Sequence, residues 1–194
     1  MEPGRRRGPR TGGSTTDPGL VRVEDLAVQV RVLIAQSAIR DLAATYAMAV
    51  DDHDLPGVLA CFAPSGAFTR AEVTVAGLEG LRAFYVDAMA RYDLMVHTPH
   101  SQVVTVDGSR ARGVATGHAE LWLENEALLT AYRYHDDFVE MEGRWVIAHR
   151  RLLTRYAAPL EEVRGMFADG RTVRWPGTVP RAADDLRISR TWPA

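Results

Sequence analysis

Three short turn signals divide the second half of the chain into four long strand-like runs, which narrows the available folds more than any other feature. Residues 94–106, 112–123, 128–141 and 145–155 are rich in β-branched and aromatic side chains, and Asp107-Gly108, Glu124-Asn125 and Glu142-Gly143 join them. Consecutive hairpin turns between runs of this kind specify an antiparallel meander. Such a sheet has one face to bury, so something apolar and separate must cover it. The first half supplies that cover. Ile39, Leu42, Ala43, Tyr46, Ala47 and Val50 recur at helical spacing, which predicts an amphipathic helix over about 23–53. The Leu55-Pro56-Gly57 step breaks it. A short helix over 56–62 follows, with Pro56 in its first turn, and Pro64-Ser65-Gly66 then turns the chain toward short strands at 67–70 and 72–75. Residues 77–91 read as a further helix.

Helices first and strands after is the pattern of an α+β fold with the helices on one face of a curved sheet. No βαβ alternation and no GxGxxG loop is present, which argues against a nucleotide fold. Three segments are expected: a disordered tail over 1–20, one domain over 21–158, and an extension over 159–194. The extension opens with a helix at 159–168 and ends in a Gly/Pro/Arg-rich stretch. It carries Trp175 and Trp192, whose large apolar surface predicts packing on the domain or on a partner subunit.

Composition removes several function classes. The 23 basic and 25 acidic residues leave a formal charge of −2 with no long run of one sign, so no nucleic-acid footprint is expected. Every basic side chain is arginine, which excludes lysine Schiff-base chemistry and a Walker-type phosphate lysine. Cys61 is the single cysteine, and the six histidines show no metal-ligand spacing, so neither a disulfide nor a metal centre is expected. Arg5, Arg6, Arg7 and Arg10 are followed by Gly, Pro, Ser and Thr where a signal peptide would be apolar, and no apolar run approaches the length of a membrane span. A cytoplasmic protein with no membrane partner is the expectation.

Four segments carry a family resemblance: Tyr46 through Asp51-Asp52-His53-Asp54; Leu59-Ala60-Cys61-Phe62; Val96-His97 with 103–108; and Tyr134-His135-Asp136 followed by Gly143-Arg144-Trp145 and His149-Arg150. Across about 37–156 the chain resembles the SnoaL-like group of the NTF2-like superfamily. That resemblance implies a cone-shaped α+β domain with a curved sheet and helices on its concave face. It also implies the company of polyketide cyclases, scytalone dehydratase-like and bile-acid dehydratase-like enzymes, a dehydrochlorinase and non-enzymatic modules. In the dehydratase-like members it implies an aspartate ending the first long helix and a histidine opening the first long strand, matched by Asp51 and His97. A tyrosine before the aspartate is matched by Tyr46, an arginine after the last-strand tryptophan by Arg150, and a further acidic residue by Glu120. Where many relatives carry Thr-Asn in the histidine strand, this chain has Pro99, His100 and Ser101.

A carboxylate and an imidazole meeting in an apolar pocket make a base able to remove a proton α to a carbonyl, with no metal and no cofactor. Tyr46, Arg150 or an inward-pointing Tyr134 would donate to the developing oxyanion. The products of such chemistry are those of a lyase, isomerase or cyclase acting on an apolar oxygenated small molecule such as a polyketide, steroid-like or terpenoid compound. Strand alternation puts His97, Pro99 and Ser101 on one face and His100 on the other, so one of the two histidines looks inward, with His97 favoured. His118, Glu120 and Trp122 share a face opposite Ala115, Gly117, Ala119 and Leu121, which leaves Glu120 open between a pocket and an outer position. Asp136 could bond an arginine structurally as readily as it could act on a substrate. Two rivals remain: a small-ligand-binding or assembly module of the same fold, and an oxygenase small-subunit-like protein. Under each, a homodimer or higher homo-oligomer is expected through the open sheet.

Overall fold

A computed structural model describes residues 22–123 and 126–184. The tail at 1–20, the Glu124-Asn125 turn and Trp192 lie outside the described residues. Helix α1 (Val23–Asp51) is followed by α2 (Leu55–Ala60), β1 (Phe62–Arg70), β2 (Val73–Ala76), α3 (Gly77–Arg91), β3 (Leu94–Asp107), β4 (Arg110–Leu123), β5 (Glu126–Met141) and β6 (Arg144–Pro159). The six strands form one mixed sheet in the order β2-β1-β6-β5-β4-β3, the α+β NTF2-like cone that the resemblance implies.

The meander forms along β3 to β6, with register shifts between Pro99 and Gln102 of β3 and between Ala131 and Tyr132 and between Asp137 and Phe138 of β5. At the last hairpin Met141 pairs with Arg144, and the two turn residues Glu142 and Gly143 both have positive φ, at 51° and 73°, as a tight primed turn requires. What closes the sheet is a pairing that no local signal marks: β1 lies parallel to β6, with Phe68 opposite Arg150 and Arg70 opposite Leu152. Pro64-Ser65-Gly66, expected as a turn, lies instead inside β1, where the register shifts between Phe62 and Ala67. A bulge absorbs a proline that could not donate to a regular ladder.

Helix α1 stops after Asp51, where His53 takes φ 53° and Asp54 caps α2 by accepting the Gly57 N–H at 3.0 Å. Ala35, Ile39, Tyr46, Ala47, Ala49 and Val50 form its buried stripe against the concave face, joined by Val58 of α2 and by Leu81 and Tyr85 of α3. On the sheet side Met95, Ala111, Ala115, Ala119, Leu121, Leu128 and Ile147 are buried. The small residues Gly113, Ala115, Gly117 and Ala119 of β4 leave room on that face for larger side chains from β5. A Cβ at Gly117 would lie 2.3 Å from the Tyr132 hydroxyl and 2.9 Å from the Thr98 carbonyl oxygen.

The expected helix over 159–168 does not form. A single 3-10 turn at Leu160–Glu162 is followed by irregular turns through Gly165, because Pro159 is still within β6 and the remaining segment is too short to nucleate a helix without a packed face. The chain then returns to β6. The Ala157 N–H donates to the Thr172 carbonyl at 3.0 Å and the Arg174 N–H to the Ala157 carbonyl at 2.6 Å. The Asp184 carboxylate accepts the Thr154 N–H at 2.7 Å. This segment therefore takes up the edge of β6 beyond the end of β1.

Gly117→Ala is expected to lower unfolding stability by about 1–3 kcal/mol through overpacking against Tyr132, as read by urea denaturation. A change below the experimental error would show that the β4–β5 contact relaxes freely.

Candidate active site

The site lies where the end of α1 meets the start of β3. Asp51 occupies the C-terminal turn of α1, a position where the helix dipole disfavours a carboxylate. His97 offsets this with two donors. Its backbone N–H reaches Oδ2 at 2.7 Å and its ring Nδ1 reaches Oδ1 at 2.5 Å. A carboxylate can only accept, so Nδ1 carries the proton and Nε2 is the nitrogen that presents a lone pair when the ring is neutral. Both side chains are largely withdrawn from solvent, at 21% exposed for Asp51 and 13% for His97.

Next to this pair is a cavity with about 100 Å³ accessible to the centre of a water-sized sphere. Val50, Phe68, Phe84, Met89, Met95, Leu121 and Leu152 supply its apolar walls, and His97, Tyr46, Tyr85, Tyr132 and Tyr134 its polar atoms. A smaller recess behind it is bounded by Ala47, His97, Pro99, Tyr132, Tyr134 and Arg150. Strand alternation accounts for the β5 members of this set, since Tyr132 and Tyr134 share one buried face of the strand with Thr130 and Asp136.

The tyrosines form one connected group. The Tyr46 and Tyr85 hydroxyls are 2.7 Å apart, the Tyr46 ring stands edge-on to Tyr134, and Tyr132 lies between Tyr134 and His97 with centroids at 4.6 and 5.8 Å. Burial pushes the hydroxyl of Tyr132 up to about 12 and holds those of Tyr46, Tyr85 and Tyr134 well above the ordinary value, so all four remain neutral donors.

Arg150 is placed differently from the expectation. Its side chain is 1% exposed, and its Nε and Nη2 donate to the two oxygens of Asp136 at 2.9 and 2.8 Å. Its guanidinium carbon lies 4.2 Å from the centroids of both Tyr46 and Tyr134, in the corner formed by two rings that stand at 87° to each other. Burial by itself would lower its pKa, but the Asp136 charge and hydrogen bonds outweigh this and raise it well above the ordinary arginine value. Two of its nitrogens are thus committed to Asp136, and it borders the recess rather than the main cavity. Its geometry is that of a support for Tyr46 and Tyr134, not of a direct oxyanion donor.

Glu120 does not reach the site. It is exposed, on the convex face of β4 with His118 and Trp122, because Ala119 and Leu121 take the inward positions. His100 is also on the convex face, where its Nε2 lies 2.8 Å from His118 Nδ1, and the register of β3 shifts between Pro99 and Gln102. His149 lies outside too, bonded to Thr69 at 2.8 Å. Tyr85 and Tyr132 were not among the sequence candidates, although Tyr132 shares the period-two face of Tyr134. Arg70 and Trp175 also line the cavity and carried no sequence signal of doing so. Among the described residues no cluster of three or more His, Cys, Asp or Glu side chains could hold a metal ion, and no helix is long and apolar enough to cross a membrane.

Comparison with known proteins identifies the architecture. A family model described as the SnoaL-like domain matches residues 31–151. The hexachlorocyclohexane dehydrochlorinase LinA-type3 from Novosphingobium barchaimii superposes with a TM-score of 0.62 at 19% identity, covering 68% of this chain and 93% of that one. A protein provisionally assigned as a scytalone dehydratase from Novosphingobium aromaticivorans gives 0.63 at 16% identity over 76% and 96% of the two chains. A protein of unknown function from Mycobacterium tuberculosis gives 0.60 at 25% identity over 64% and 78%. No curated protein matches the sequence.

Asp136→Ala is expected to cost about 3–5 kcal/mol in urea denaturation, because it leaves the Arg150 charge buried and unpaired. The double variant Asp136→Leu with Arg150→Met should recover most of that loss. A single variant as stable as the parent would mean that Arg150 finds solvent.

Proposed function

Because the chain belongs to the SnoaL-like domain family, we propose that it is a cofactor-independent lyase, isomerase or cyclase that works by proton transfer on an apolar oxygenated small molecule. A compound of polyketide, steroid-like or terpenoid character fits the walls of the cavity. The observation that carries the reading is the Asp51–His97 pair, bonded at 2.5 Å and bordering an apolar cavity.

In this mechanism His97 Nε2 removes a proton α to a substrate carbonyl while Nδ1–H stays on Asp51, whose charge stabilises the imidazolium. The electron pair left by the broken C–H bond moves onto the carbonyl oxygen. A neutral hydroxyl of Tyr46, Tyr132 or Tyr134 donates to that oxygen, and tyrosines kept protonated by burial suit the task. The imidazolium then returns its proton, to a departing hydroxyl in an elimination or to a different carbon in an isomerisation. Arg150 is the positioning residue that holds two of these rings. A binding or assembly module would not need a histidine held in one tautomer by a carboxylate, so that pair favours the enzymatic reading.

We also propose a homodimer formed through the convex face, in a cytoplasmic setting. Val96, Val103, Val114 and Trp122 are 43%, 73%, 38% and 40% exposed there, on neighbouring strands β3 and β4.

α-Proton exchange provides a test that needs no natural substrate. With 2-tetralone in D2O, the protein should speed deuterium uptake as followed by NMR, and Asp51→Asn or His97→Ala should slow it roughly 10²–10⁴-fold at unchanged thermal stability. No acceleration by the parent protein, or equal rates in the variants, would sink the reading in favour of a binding module. Sedimentation equilibrium at micromolar concentration should return twice the chain mass, with Trp122→Glu shifting it toward monomer; a monomeric parent refutes the dimer.

A further inference from the structure

The outer end of the cavity holds a charge that proton transfer does not use. Arg70, the last residue of β1, lines the main cavity and also the depression outside it beside Phe84 and Ala88, so it stands at the boundary between them. His97, Tyr46 and Tyr134 border the inner recess, at the opposite limit. The Arg70 guanidinium lies 4.9 Å from the ring centroid of Trp175. That tryptophan is carried by the segment stitched to β6 through Ala157, and its carbonyl accepts from the Thr178 N–H and hydroxyl at 3.0 and 2.8 Å.

Among the described residues no carboxylate lies within ion-pair reach of the Arg70 guanidinium, and no protein acceptor takes a hydrogen bond from that guanidinium. The nearest acidic side chain of the depression, Asp87, pairs instead with Arg91 at 3.3 Å. A half-buried guanidinium that stands beside an indole ring, 4.9 Å away at the centroid, has N–H groups to offer, and these match a carboxylate in two parallel hydrogen bonds. One positive charge balances one negative charge. A phosphate dianion would ask for more than this mouth provides.

We infer that the substrate of the site is a small apolar carboxylic acid, bound with its carboxylate on Arg70 beneath Trp175 and its reacting carbon directed inward to His97. The inference rests on the proposed function for the identity of the reacting end, and on Arg70 and Trp175 alone for the acid. The extension beyond β6 then has a specificity role: it supplies the ring beside which the guanidinium stands at the mouth.

Equilibrium binding separates the two claims, since it requires no proton transfer. Isothermal titration calorimetry at neutral pH would compare 2-naphthoate with its uncharged near-isostere 2-naphthamide. The acid should bind at least about tenfold more tightly to the parent protein, the margin of one charge-assisted hydrogen-bonded pair. Arg70→Gln should remove that preference while leaving the affinity for the amide within about twofold, and Trp175→Leu should reduce the preference in part. Asp51→Asn should keep the full preference even though exchange chemistry is lost. Equal affinities in the parent, no measurable binding of the acid, or a preference that survives Arg70→Gln would overturn the inference, whatever the exchange assay returns.

Discussion

A guanidinium buried in the middle of an apolar cone is the constraint around which the rest is arranged. Arg150 cannot be left unpaired there, since removing an ion of that size from water costs several kcal/mol even after relaxation. Asp136, opposite it across the β5–β6 ladder, satisfies two of its donors in a bidentate contact. The charge is further neighboured by the rings of Tyr46 and Tyr134, each with its centroid 4.2 Å from the guanidinium carbon. Those two rings belong to a helix and a strand that approach each other only in the folded cone. The ion pair therefore orders the aromatic wall of the cavity, and through Tyr134 and Tyr132 the order extends to His97.

The proposed base depends on a second junction. Asp51 sits where a helix ends, and His97 supplies both a backbone and a ring donor to it, so the carboxylate is held at two points and the imidazole in one tautomer. Fixing the ring in this way leaves Nε2 without a hydrogen-bond partner among the described residues, on a side chain that lines the cavity. Beyond His97 the β3–β4 register shifts between Pro99 and Gln102 and pairing then resumes through Asp107, while His100 faces the outer surface against His118. Chemistry and ladder geometry are settled within the same few residues.

Closure of the cavity comes from the far end of the chain. Strand β1 stops at Arg70, and the neighbouring length of β6 would be left with an open edge. Residues 172–174 take that edge and bring Trp175 over the mouth. An apolar wall, a neutral tyrosine set and, at the rim, an arginine with no carboxylate partner among the described residues together favour one kind of ligand, a compact hydrophobic molecule with one negative charge.

Much of this was legible before folding, and the division is physical. Periodicity marks the elements because each buries one face: Ile39, Tyr46 and Val50 report α1, and the alternation of Ala115, Gly117, Ala119 and Leu121 reports which face of β4 turns inward. The hairpin turns, being local, fix the order of β3 to β6, and the same alternation separates His97 from His100. Other features have no local signature. The parallel pairing of β1 with β6, the bulge that absorbs Pro64, and the loss of the expected helix after Pro159 follow from which sheet edge stands open. Glu120 and Arg150 are of the right residue types, yet parity turns one outward and Asp136 occupies the other. The sequence determined by itself the elements, their buried faces and the presence of a carboxylate, a histidine and several tyrosines. Only tertiary structure decided which of them meet, because Asp51 with His97, Asp136 with Arg150, and Arg70 with Trp175 are contacts between distant segments whose partners are chosen by packing.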